Sequence, residues 1–261
     1  MFTDVVDLRD FYAETVGQVT QRLLRSQLRE LWPDVRGLRV AGLGYAVPFL
    51  RPFMDEAERV LALMPAAQGV LPWPNERANL ATLVEEIDLP LPDRSVDRLL
   101  IVHALECAEQ IRPLLREAWR VLADGGRMLV VVPNRTGLWA QFDRSPFYHG
   151  HPYSARQLAV LLRANMFTPL REARALYLPP TRSRLLLSLA PTVEKMGRRL
   201  FSRFAGVAVV EAGKQIHAGV VVHQAAPARP RLRVAHSRGP SPAAGRIVPP
   251  PVVPTSPRTT D

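Results

Sequence analysis

Apolar positions along the chain recur in two alternating rhythms. Residues 8–31 place Tyr12, Val16, Val19, Leu23, Leu24 and Leu28 at helical spacing, and Trp32-Pro33 stops the run. A short apolar run at 38–43 reads as a strand, and residues 48–58 are compatible with a helix. Further strand-like runs fall at 59–64, where Pro65 halts the pattern, at 80–84 and at Val96–Val102. A helix is predicted over 109–122, with Leu114, Leu115, Ala118, Val121 and Leu122 on one face. Asp124-Gly125-Gly126 supplies the residues that a left-handed C-cap needs at its end. Residues 127–132 form the most apolar run, as suits a strand buried on both faces. The last third reads as a helix at 154–165, a strand at 170–178, a helix at 183–201 and a long strand at 205–217.

Short strands separated by helices imply parallel pairing with crossover connections, hence an α/β, Rossmann-like doubly wound sheet. Two late strands around one helix fit a sheet that ends with an antiparallel edge strand. In such sheets ligands bind in the crevice at the carboxyl ends of the strands.

Composition refines this picture at one end. Of 25 prolines in 261 residues, nine lie in 224–261, which has no aromatic residue, so a disordered Pro/Arg-rich tail is expected there and a folded part over 1–223. The net charge of +10 suggests nucleic acid at first sight. Six arginines against one aspartate in the tail account for half of that excess, and the rest is scattered over helices whose bland reading is a solvated face. A nucleic-acid partner is therefore not the expectation. Cys107 is the single cysteine, so no intrachain disulfide can form. The opening MFTDVVDLRD carries acids where a secretory leader is basic, and no apolar run is long enough to span a membrane. A cytoplasmic location is the resulting expectation.

Two spaced motifs carry a specific resemblance. The run Leu89-Pro90-Leu91-Pro92-Asp93-Arg94-Ser95-Val96-Asp97 resembles the LPFPDxSFD signature of class I S-adenosylmethionine (SAM) dependent methyltransferases, in the branch called methyltransferase type 11. About thirty residues on, Arg120-Val121-Leu122-Ala123-Asp124-Gly125-Gly126 is similar to that branch's RVLKPGG turn. The resemblance covers residues 38–132, weakens onward to His217, and implies a seven-stranded sheet and SAM as cofactor.

It also implies a cofactor loop, and here the chain departs from the pattern. The DxGxGxG loop stands as Gly42-Leu43-Gly44-Tyr45-Ala46-Val47-Pro48, which keeps the first glycine at Gly44. Ala46 and Pro48 take the next two glycine positions, and Gly42 stands where the family has its acid. Leu63-Met64-Pro65 offers no carboxylate to the ribose hydroxyls, whose loss removes about 1.5–3 kcal/mol, roughly ten- to hundred-fold in affinity. Glu85 or Glu86 could meet the adenine amine, and Ile87 could pack on the ring; Asn75 or Glu76 could replace the missing acid from a shifted position. The implied cofactor contacts are thus Gly42, Gly44, Tyr45, Ala46, Glu85 and Ile87. Tyr45 could stack on substrate or plug the pocket.

Other candidates follow the fourth strand. His103 points where acceptor and sulfonium should meet, and its ordinary pKa suits a base; a satisfied histidine at a strand end is the bland alternative. Cys107 heads the next helix, where a dipole can lower a thiol pKa, against the alternative of a buried structural cysteine. The segment WAQFDRSPFYHGHPY at 139–153 concentrates aromatics after the fifth strand. Its His149 and His151 lack a third metal ligand at sensible spacing, so Tyr148 and His149 read as acceptor-pocket walls. The resulting expectation is methyl transfer from SAM to a small-molecule acceptor. The rival is a scaffold that keeps the fold and has lost the cofactor.

Overall fold

The computed structural model describes residues 4–215, apart from Arg144 and Arg182. The expected tail and the last residues of the long strand fall outside these. Seven strands run as β1 (Arg39–Gly44), β2 (Arg59–Pro65), β3 (Ala81–Val84), β4 (Val96–Val102), β5 (Leu122–Pro133), β6 (Phe167–Ala175) and β7 (Val207–Lys214). They form one sheet in the order β3-β2-β1-β4-β5-β7-β6. Pairing is parallel from β3 to β5, and β7 runs antiparallel to both β5 and β6. The doubly wound sheet is therefore as expected, and its reversed strand is second from the β6 edge.

Both faces are covered because successive strand residues point to opposite sides. Val40, Leu100, Val102, Leu129 and Val131 pack under α1 (Val5–Ala13), α2 (Thr15–Leu31) and α3 (Val47–Leu50). Ala41, Leu43, Leu99, Ile101 and Val130 pack under α4 (Ile111–Val121) and α5 (Ala155–Ala164). No helix joins β2 to β3 or β3 to β4, and Leu83 on the β3 edge stays half exposed.

Several boundaries differ from the sequence expectation, each for a physical reason. The single N-terminal helix is two, because Glu14 takes extended dihedrals and both ends one helix and begins the next. Gly17 lets them lie close, since a Cβ there would sit 1.9 Å from the Phe11 carbonyl oxygen. After β1 the expected eleven-residue helix shrinks to α3 and a 3-10 turn at Arg51–Phe53. Asp124-Gly125-Gly126 does not cap α4, which ends at Val121 with Leu122 as its cap; the triplet lies inside β5, where the β4–β5 register shifts between Val96 and Arg98. The late helix breaks at Leu189 into α6 (Arg184–Ser188) and α7 (Ala190–Leu200), with a proline in the first turn of α7.

Candidate functional site

The chain leaving β1, β2 and β4 meets α1 at Tyr45, Gln68 and His103. At the end of β1, Gly44 has φ +87°, and a Cβ there would lie 2.2 Å from the Val102 carbonyl oxygen and 2.8 Å from the Ala104 methyl. This glycine thus lets β1 approach the chain leaving β4. The space beside Gly42 is filled by Ala46 and Leu50, at 2.6 and 2.8 Å from a notional Cβ. Tyr45 and Ala46 are both buried. The Tyr45 ring stacks on Tyr12 of α1, with centroids 5.8 Å apart and planes 19° off parallel. Burial pushes the Tyr45 phenol up to about 12. It raises Tyr12 well above the ordinary value, helped by the nearby Tyr45 and Glu106.

Tyr12 in turn reaches His103, whose Nε2 lies 2.8 Å from the phenol oxygen. Which of the two donates is set by the imidazole tautomer. Nδ1 faces a carboxylate oxygen of Glu106 at 3.3 Å. Both Glu106 oxygens are buried, and neither has a hydrogen-bond partner among the described residues. His103 itself holds φ +55°, a left-handed conformation that costs a non-glycine residue about 1–2 kcal/mol. The Gln68 amide donates to the His103 carbonyl, and the Phe147 ring lies 4.8 Å from the imidazole, centroid to centroid. A buried imidazole in a strained conformation thus stands beside a buried carboxylate without a hydrogen-bond partner among the described residues. Replacing Glu106 with Gln is expected to raise the thermal midpoint by a few degrees, about 2–4 °C per kcal/mol of relieved desolvation, as scanning calorimetry would show.

Beside these buried side chains the surface opens. A cleft of about 490 Å³ is lined by Pro65–Gln68, Glu85–Ile87, Cys107, Glu109 and Gln110. Its size is that of a small-molecule site. Glu86 is half buried, and its pKa is raised by burial first and then by Glu85 and Glu109. Cys107 precedes α4 by several residues instead of heading it, and burial with Glu106 and Glu86 nearby pushes its thiol up to about 12, opposite to activation. The six residues expected to hold a cofactor are therefore divided. Glu85 and Ile87 line the open cleft, whereas Gly42, Gly44, Tyr45 and Ala46 are buried outside it, with Tyr45 stacked on Tyr12 of α1.

The remaining candidates lie around this centre. Glu76 pairs with Arg51 at 3.0 Å on the surface, which lowers its pKa, and Asn75 is exposed beside it. Tyr148 is largely exposed with His149 edge-on to it, so within 139–153 the residue that touches His103 is Phe147. His151 anchors that segment by its backbone, donating to the Glu106 carbonyl at 2.7 Å. No group of three or more His, Cys, Asp or Glu side chains among the described residues could hold a metal ion. Tyr12 and Gln68 carry no functional signal in the sequence, because residues 91 and 35 positions away converge on His103 only through the fold.

Residues 49–130 match the methyltransferase-domain family. The matched segment is that of a methyltransferase domain, and the fold is one that SAM-dependent methyltransferases adopt. Solved structures agree on the fold. A SAM-dependent methyltransferase of Thermotoga maritima, described as a possible histamine N-methyltransferase, superposes with a TM-score of 0.57 at 17% identity, over 81% of this chain and 95% of that one. A SAM-dependent methyltransferase of Archaeoglobus fulgidus gives 0.52 at 18% identity, over 74% and 94%. The 4+2 cyclase SpnF gives 0.53 at 21% identity, over 77% and 83%. The same methyltransferase fold thus also appears in a protein described as a cyclase, so the reaction must be argued from the site. No curated protein sequence matches the chain. No helix among the described residues is long and apolar enough to cross a membrane.

Proposed function

We propose that the protein is a SAM-dependent methyltransferase acting on a small-molecule acceptor, with its adenosyl pocket in the cleft beside β2 and β3 and its transfer centre at His103. The buried Tyr12–His103–Glu106 arrangement at the strand ends carries this reading. In the cleft, Glu85 or Glu86 would accept from the adenine amine and Ile87 would cover the ring, and Gly44 marks where the methionyl end must arrive. SAM, when bound, supplies an electrophilic methyl group. The chain's own work is to hold the acceptor, keep water out and take a proton if the acceptor carries one. Once the Tyr12 hydroxyl has left it, His103 Nε2 would accept that proton, and Glu106 opposite Nδ1 would stabilise the imidazolium that forms. Phe147, Tyr45 and Tyr12 wall the centre with aromatic surface, which favours a small, flat or apolar acceptor.

For any acceptor to reach Nε2, the Tyr12 hydroxyl must leave it. Lifting α1 whole would expose Val5, Leu8, Phe11 and Tyr12, at about 1.5–3 kcal/mol each, a total comparable to what micromolar binding supplies. Swinging the Tyr12 and Tyr45 side chains is the smaller motion. Calorimetric titration tests this. The wild-type chain is expected to bind adenosine about as tightly as SAM, since the cleft at Glu85–Ile87 is open while Tyr12 covers His103. Tyr12→Ala should tighten SAM at least about ten-fold and leave adenosine unchanged. Absence of binding by either ligand, in both proteins, would overturn the proposal.

That outcome would favour a second reading, a non-catalytic protein on the same fold. Its support is the filled loop: Ala46 and Leu50 occupy the space beside Gly42, and β2 ends in Pro65 without a carboxylate.

A further inference from the structure

Seven of the seventeen large apolar side chains left exposed among the described residues lie between 185 and 204. Leu185 is 74% exposed and Leu200 66%, and Leu189, Met196, Phe201 and Phe204 are each about half exposed or more. On α7, Thr192, Met196 and Leu200 follow at four-residue spacing, so they lie along one stripe. Lys195 and Arg199, both exposed, run beside that stripe at the same spacing, and exposed Arg203 continues it. Residues 183–204 hold five basic residues against one acid, Glu194. That acid is turned inward, where its carboxylate accepts from the Leu176 and Tyr177 amides. The outer face of α7 is therefore basic and apolar, with no exposed carboxylate.

The helix cannot roll to hide this stripe. Ala190, Glu194 and Gly197 form its buried side, and a Cβ at Gly197 would sit 2.3 Å from the Tyr177 ring. Arg198 fixes the same orientation through Glu30 of α2 at 3.1 Å. A face that stays apolar at this cost calls for a partner.

We propose that α6, α7 and the turn after them dock the protein on the surface of an anionic phospholipid bilayer. Charge complementarity selects this occupant. Leucine, methionine and phenylalanine beside lysine and arginine match the acyl boundary and the anionic headgroups together. A second copy of the chain across a two-fold axis would bring the rows of Lys195 and Arg199 against each other, which repels. A nucleic acid would use the arginines and leave the leucine stripe in water.

Co-sedimentation of the full chain with lipid vesicles tests this. Binding is expected to vesicles of phosphatidylcholine containing phosphatidylglycerol, weakly or not at all to phosphatidylcholine alone, and to fall at high salt. Leu200→Glu with Phe204→Ser, and separately Lys195→Glu with Arg199→Glu, should each weaken binding about ten-fold or more, with circular dichroism and thermal midpoint unchanged. Vesicle binding unaltered by both pairs would assign it to the basic residues after 223 and overturn the proposal. Failure to bind vesicles overturns it equally, and so does a dimer in sedimentation that Leu200→Glu with Phe204→Ser abolishes without any vesicle binding.

Discussion

Replacing Gly44 with alanine is expected to lower the stability of this protein by about 2–5 kcal/mol, a large fraction of what a domain possesses. Two costs add. An L side chain at φ +87° carries about 1–2 kcal/mol of left-handed strain. The new methyl would also meet the Val102 carbonyl oxygen at 2.2 Å, and backbone cannot rotate away as a side chain can, so β1 and β4 must shift, at about 1–3 kcal/mol. Gly125→Ala is the control: its φ is +78° with nothing within 4 Å, so it should cost only the strain, about 1–2 kcal/mol. Urea unfolding of the three proteins measures the difference. A Gly44→Ala protein with wild-type stability and weakened SAM binding would mean that the glycine serves the ligand and not the strands.

The second large effect is expected at Glu211, a fully buried acid in the middle of β7. Its carboxylate accepts from the Trp32 indole at 3.1 Å and from Arg171 at 2.7 Å, with Arg127 at 3.4 Å. Arg171 also donates to the Leu31 carbonyl, so Glu211 holds the residue that caps the end of α2. Glu211→Ala removes the anchor and leaves the indole and a guanidinium unpaired. Breaking a buried pair costs about 3–5 kcal/mol, and the half-exposed arginines place this case near the lower end, roughly 6–12 °C in thermal midpoint. Burial works to raise the Glu211 pKa, but the arginines and Trp32 outweigh it and hold it below the ordinary value. A carboxyl whose folded pKa is depressed contributes stability above its unfolded pKa, about 4.3, and loses it as pH falls through the folded value. The stability gap between wild type and Glu211→Gln should therefore be constant from neutrality to about pH 5 and shrink below about pH 4.3. Calorimetry across that range checks it, and a gap that widens in acid would mean that the carboxyl is protonated at neutral pH.

Both effects arise where distant segments meet, and they mark how far the sequence could be read. Strand and helix order was legible because burial on two faces forces apolar runs at 38–43, 59–64, 127–132 and elsewhere, and Val96–Val102 is reproduced residue for residue. Glu85 and Ile87 were legible as lining residues because they follow a strand that ends at the ligand crevice. The role of Gly44 was not. A glycine after a strand looks the same whether its missing Cβ makes room for a ligand or for Val102, and only the β1–β4 approach tells them apart. Glu106 lay unremarked within HALECAEQ, because its burial without a partner is a property of the packed chain.

The sequence by itself determined the sheet, its winding and the place of the crevice, since hydrophobic period and turn chemistry are local and survive without knowledge of the partner. The tertiary structure alone decided what fills that crevice. It brought Tyr12 of α1 across 91 residues onto His103, divided the cofactor loop from the open cleft, and turned the apolar stripe of α7 outward. Those outcomes depend on which surfaces compete for the same buried volume, and that competition is settled only when the whole chain packs.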